Sequence, residues 1–149
     1  VGFTAGLAGA LGGGALVGRL GRGTALWLFG TAQALTMLLW WYVAAHGAYL
    51  SLVVTCVVEH LASGAATAVL FTWMMDACRP GLEGTDYTVQ ASAVVVAQGG
   101  AYALSGLSAA RLGYELHFGL GFALCVGAVA LAFTVRRSLE RFRQGPVAT

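Results

Sequence analysis

Lysine is absent from this sequence, and charge of either sign is scarce: eight basic and six acidic side chains among 149 residues. The charged fraction is 9%, against roughly 25% in an ordinary soluble domain. With 58% hydrophobic residues, so few charges cannot cover a water-facing surface. This excludes a soluble globular domain and leaves the bilayer as the solvent that suits the chain. All eight basic residues are arginines, and none belongs to a run interleaved with aromatics, which argues against a nucleic-acid partner. Cysteine is also sparse. Cys56, Cys78 and Cys125 lie scattered in apolar surroundings without a CxxC or His-paired spacing, and read as small packing residues rather than metal or redox groups. No GxSxG or HExxH pattern supplies a catalytic nucleophile or metal site, so an enzyme is not expected, nor any cofactor. The chain starts at Val1 inside a hydrophobic run, without the charged n-region of a signal peptide. It is expected to be the carboxy-terminal part of something longer.

What is present is apolar length. A helix needs about 20 residues to cross the hydrocarbon core. Five segments meet or approach that length: 1–18, 24–45, 48–77, 85–110 and 116–135. The expected fold is therefore all-α, a polytopic membrane helix bundle of about five spans over 1–135, with a polar tail over 136–149. Four short loops are expected between the spans: Arg19 to Gly23, His46-Gly47, Cys78 to Gly84, and Arg111 to Glu115. Five spans put Arg19, Arg22, Arg79, Arg136, Arg137, Arg141 and Arg143 on one side and Arg111 alone on the other. This is a positive-inside asymmetry that predicts a cytoplasmic tail. Small residues spaced by four (Gly2/Gly6, Gly9/Gly13, Gly14/Gly18, and Gly119, Ala123, Gly127) predict close helix contacts.

Within these spans the polar side chains are few enough to name. Glu59 and His60 fall inside the third, Glu59 near mid-depth, where an ionised carboxylate is costly and rarely kept without a use. Ser63 and Thr67 repeat from Glu59 at intervals of four and share its face, whereas His60 lies about 100° round the helix. In the fourth span Gln98, Tyr102 and Ser105 form a second polar face, with Gln90 nearer the start of the helix. Two such stripes can border a water-filled cavity, where intramembrane polar groups are tolerated. Two roles stay open for Glu59: a pathway or proton-coupling group whose pKa burial would raise, or a structural group satisfied by His60 or a neighbouring helix. Thr85 is expected to cap the fourth helix, with Asp86 in its first turn.

Two stretches carry a family resemblance. The first loop, Gly14-Ala-Leu-Val-Gly18-Arg19-Leu20-Gly21-Arg22-Gly23, resembles the signature loop of the major facilitator superfamily, G-x-x-x-D-R-x-G-R-R. Gly14, Arg19, Gly21 and Arg22 match. Gly18 stands where the pattern has Asp and Gly23 where it has a base, so the acid of that loop's charge relay is missing. The second stretch runs from Asp76 through Arg79, Pro80 and Gly81 to Thr85-Asp86-Tyr87-Thr88-Val89-Gln90-Ala-Ser92. It is similar to the helix ten to eleven junction of the branch holding muropeptide permeases, acetyl-CoA transporters and siderophore permeases of the rhizobactin and pyochelin type.

The resemblance implies helices eight to twelve of a twelve-helix secondary transporter in a bacterial cytoplasmic membrane. It implies proton-coupled uptake of a siderophore, muropeptide or similar polar solute, with the missing amino-terminal half completing the path. Glu59 and His60 would then couple protons, and Ser63, Thr67, Gln90, Gln98, Tyr102 and Ser105 would line the cavity. Gly14, Arg19, Gly21, Arg22, Asp76, Arg79, Thr85 and Asp86 would form the cytoplasmic gate, although an ordinary solvated loop explains Asp76, Arg79, Glu83 and Asp86 equally well. The alternatives are a haem-carrying or other redox subunit using His46, His60 or His117, and a bundle fragment that only packs.

Overall fold

The computed structural model describes the backbone of residues 1–143 and the side chains of residues 1–135; the tail expected over 136–149 lies outside the described side chains. The described residues form four helical elements: α1 (Gly2–Leu20), α2 (Arg22–His46), α3 (Tyr49–Asp76) and α4 (Glu83–Arg143). Each is long and apolar enough to cross a membrane. Together they are a bundle of the multi-pass α-helical type.

The fourth and fifth expected spans are joined more tightly than expected. The expected loop at 111–115 does not exist; α4 is interrupted at one residue, Gly113, whose φ of 77° and ψ of 162° are not helical. That backbone region is essentially confined to glycine. In a straight helix residues 105 and 117 would sit roughly 18 Å apart, yet Ser105 Oγ and His117 Nε2 are 3.3 Å apart. The chain therefore folds back at Gly113, and the fourth and fifth expected spans are the two arms of α4, 83–112 and 114–143.

The other connections are also tighter than expected. Between α1 and α2 only Gly21 leaves the helical conformation, so Arg19 belongs to α1, and Arg22 and Gly23 to α2. Gly21 has φ 76°, and its N–H reaches back to the Val17 carbonyl at 3.0 Å, which closes the helix end without a loop. His46 ends α2 rather than standing in a loop. The third connection is 77–82, and α4 starts at Glu83, two residues before the expected start. Thr85 is consequently not the cap. The Asp86 N–H bonds the Leu82 carbonyl at 2.9 Å, which makes Leu82 the cap residue and leaves Asp86 in the first turn as expected.

The bundle is organised around α3. Helix α1 packs along it most extensively, α2 covers another side, and the second arm of α4 lies on α2; the contact between α3 and α4 is slight. Aromatic pairs fix the outer layer: Trp27 meets Phe133 edge-on at 5.3 Å and Trp40 stacks on Phe118 at 5.8 Å, so α2 and the second arm run antiparallel. Val17, Ala25 and Val69 close the interior near the arginine-rich end, with Leu26, Phe29 and Trp73 packed around them.

Glycines let α1 and α3 approach backbone to backbone. A Cβ on Gly13 would lie 2.6 Å from Ala65 Cα, one on Gly9 would strike the Leu61 carbonyl, and one on Gly64 would strike the Gly6 carbonyl. Lipid supplies no hydrophobic drive between helices, so dispersion across such contacts holds them together. The other expected glycine pairs do not serve this purpose. Gly14, Gly18, Gly119 and Gly127 face open space, and the close contacts on the second arm come instead from Gly121 beside Met37 and from Val129 beside Gly30.

Gly13→Leu should lower stability by about 1–3 kcal/mol or more through overpacking, measured by denaturation in detergent. Gly12→Ala, which meets nothing within 4 Å, should be neutral or stabilising. Gly113→Ala should cost about 1–3 kcal/mol from backbone strain alone, because its Cβ meets no neighbour within 4 Å.

Candidate functional site

Because α1 and α2 occupy two sides of α3, adjacent residues of α3 face different helices. Glu59 faces α2. Its side chain is 17% exposed, and Oε1 accepts a hydrogen bond from Gln33 Nε2 at 3.3 Å. His60 lies toward α1, where its ring fills the space a side chain at Gly2 would need. The imidazole nonetheless turns back, with Nδ1 2.9 Å from Glu59 Oε2 and 2.8 Å from the Cys56 carbonyl. The two residues, which helical geometry alone does not oblige to meet, are thus in polar contact. Gln33 donates to one carboxylate oxygen of Glu59 and the imidazole nitrogen lies beside the other, which limits the cost of placing a polar group in an apolar bundle.

The two polar stripes expected to face a common cavity do not come together among the described residues. Ser63 is half-buried and Thr67 exposed. On the first arm of α4, Gln98 and Tyr102 are exposed, Tyr102 at 76%. Ser105 is turned toward the corner at Gly113, where it meets His117 Nε2, while Ser108 meets the other ring nitrogen at 3.2 Å. The first arm touches α3 only near its start. There Tyr87 meets Phe71 edge-on at 6.4 Å, and Gln90 Nε2 donates to the Met74 carbonyl at 3.2 Å. Gln90 therefore adds a tie from α4 to a carbonyl at the C-terminal end of α3, one that also accepts from the Ala77 N–H and from Cys78 Sγ.

The arginine-rich end is ordered by charge. Arg22, at the start of α2, pairs with Asp76 at the end of α3, and Trp73 Nε1 donates to the Arg22 carbonyl at 3.2 Å. Asp86 receives Arg79 three times, from Nε at 2.9 Å, from an Nη at 2.7 Å and from the backbone N–H at 2.9 Å. The hydrogen bonds and charge of Asp86 push the Arg79 pKa above its ordinary value. Glu83 accepts the Gly81 N–H at 2.9 Å and so braces the turn after Pro80. Of the loop residues, Arg22 and Gly21 have definite structural work. Gly14, Arg19 and Thr85 are exposed, and nothing lies within 4 Å of a Cβ built on Gly14.

Two site residues were not anticipated. Gln33 could have been found, since it is the one amide in the otherwise apolar α2 and a mid-span amide must find a partner. Ser108 gives no such signal. The three histidines are engaged separately: His46 with the Tyr42 carbonyl at 3.0 Å, His60 with Glu59 and Cys56, and His117 with the two serines. The fold and the sites together describe a multi-pass α-helical membrane bundle with a polar knot around Glu59, a second polar cluster at the Gly113 corner and ion pairs at one end. No family model matches the chain. No solved structure matches it either.

A double-mutant cycle on Arg22 and Asp76 (Arg22→Gln, Asp76→Asn) should give a coupling of about 0.2–1 kcal/mol, as for other exposed pairs. Added salt should diminish it.

Proposed function

We propose that the chain is part of a secondary transporter of the major facilitator type, working by alternating access, in which Glu59 carries the coupling proton. The observation that carries this reading is the setting of Glu59. It is a carboxylate inside an apolar helix, largely shielded, and held by side chains of two helices with no arginine beside it among the described residues. A carboxylate fixed by a permanent cation would resist protonation; one held by an amide and an imidazole can take up a proton and give it back. Intramembrane acids of this kind mark ion and proton routes.

The charged end supports the same reading. Alternating access needs contacts at the ends of the helices that form and break at little cost. Arg22–Asp76, exposed on both partners, is such a contact between α2 and α3; Arg79–Asp86, its carboxylate mostly covered and three times hydrogen-bonded, is a firmer clasp of the turn after α3 to α4. The signature-like loop lacks its own acid at Gly18, and Asp76 provides a carboxylate to Arg22 from α3. The exposed polar face of Gln98 and Tyr102 suits a solute path completed by an amino-terminal half. By resemblance the solute is a siderophore, muropeptide or similar polar molecule, imported across a bacterial cytoplasmic membrane with the tail inside.

A second reading draws on the Gln33 bond itself: Glu59 serves only to tie α2 to α3. The two separate cleanly in full-length protein. Glu59→Gln preserves size and hydrogen-bonding capacity, so expression should be unchanged while proton-driven uphill uptake is lost. Wild-type accumulation by this variant refutes coupling and favours the tie.

A further inference from the structure

Gln33 holds an unresolved account. Its Nε2 donates to Glu59, but its Oε1 is buried and has no hydrogen-bond partner among the described residues. Buried acceptors are rarely left unmade, and one beside a carboxylate calls for an explanation. The reverse orientation of the amide would be worse, because it would set Oε1 against the lone pairs of an ionised Glu59. The orientation present is thus the one that fits the carboxylate, and its orphan acceptor fits the carboxylic acid. A protonated Glu59 has one O–H to donate. The nearest unused acceptor is on the same amide, exchanged with Nε2 by a half-turn about the broad terminal torsion of the glutamine side chain.

We propose that Gln33 is a positioning residue that reads the protonation state of Glu59 by turning its amide. It donates from Nε2 to the ionised group and accepts at Oε1 from the protonated one. The inference rests on Glu59 being the proton-carrying group. The proton stays on Glu59 throughout; the amide gains and loses none.

The surroundings permit the exchange. His60 Nδ1 has two acceptors within reach, Glu59 Oε2 and the Cys56 carbonyl, so its proton keeps a partner when Glu59 becomes neutral. Cys56 Sγ lies 3.7 Å from the same nitrogen. Helix α1 has no ionisable side chain before Arg19 and meets His60 with Gly2 and Gly6. Helix α2 has none from residue 23 to residue 41, and the first arm of α4 meets α3 only at the arginine-rich end. His60 and Cys56 are therefore the titratable groups that face Glu59 among the described residues. Loading a proton then reaches α2 as a turned amide, with the α2–α3 contact kept.

The test is a pH titration by NMR of the full chain in lipid nanodiscs, with labelled glutamate and glutamine side chains. As the Glu59 carboxyl carbon titrates, the Gln33 amide protons should move upfield on losing the carboxylate. The Gln33 Cδ should move downfield on gaining a donor, with the same midpoint, and Glu59→Gln should abolish both changes. If the Gln33 amide protons shift while its Cδ stays fixed, the amide does not turn; the pivot is overturned and the coupling role of Glu59 stands. If Glu59 does not titrate in the folded protein, both fall. Should the variant not fold, the paired midpoints in the wild type decide alone.

Discussion

The backbone contact between α1 and α3 sets everything else in place. Gly9, Gly13 and Gly64 bring the two helices so close that main-chain atoms meet where side chains would ordinarily intervene. This fixes the rotation of α3 about its own axis. With one flank sealed against α1, residue 60 must look toward Gly2 and residue 59 toward α2. The position of the only acid in the middle of α3 is therefore decided by glycines of this contact, two of them on a helix that carries no ionisable side chain over most of its length.

Charge then divides the bundle into two regimes. In the interior of the described bundle a carboxylate accepts from an amide and lies beside an imidazole. At the arginine-rich end, exposed guanidinium groups pair with Asp76, where solvent screening keeps the contact weak, and with Asp86, where a bidentate grip makes it stronger. The screened charges are where elements meet at their ends, and the costly group lies where packing holds its partners in register.

Much of this could be read from residue order, because lipid imposes simple rules. Apolar length set the helices, and the spacing of Gly2, Gly6, Gly9 and Gly13 anticipated a close neighbour for α1. The errors came from positions where one residue does the work of several. Gly21 and Gly113 each break a helix alone, where hydropathy suggests a loop of five. Leu82, with no polar side chain to advertise a cap, precedes Glu83, so the polar Thr85 attracted the assignment. Partnerships were harder still. That Glu59 meets Gln33 depends on how α2 lies against α3, and that Ser105 faces His117 depends on the reversal at Gly113. Spacing along one helix contains neither. The same holds for Gln98 and Tyr102, which share a face as expected yet stand apart from α3 because the first arm touches it only at one end.

The corner at Gly113 has a different character from the knot at Glu59. Both nitrogens of His117 meet serine hydroxyls, and a hydroxyl gives or takes a hydrogen bond as its neighbour requires. Either tautomer of the neutral ring is satisfied, and so is the doubly protonated ring, by rotating two O–H bonds. The hydrogen bonds that close the fold-back of α4 therefore do not depend on which ring nitrogen carries the proton.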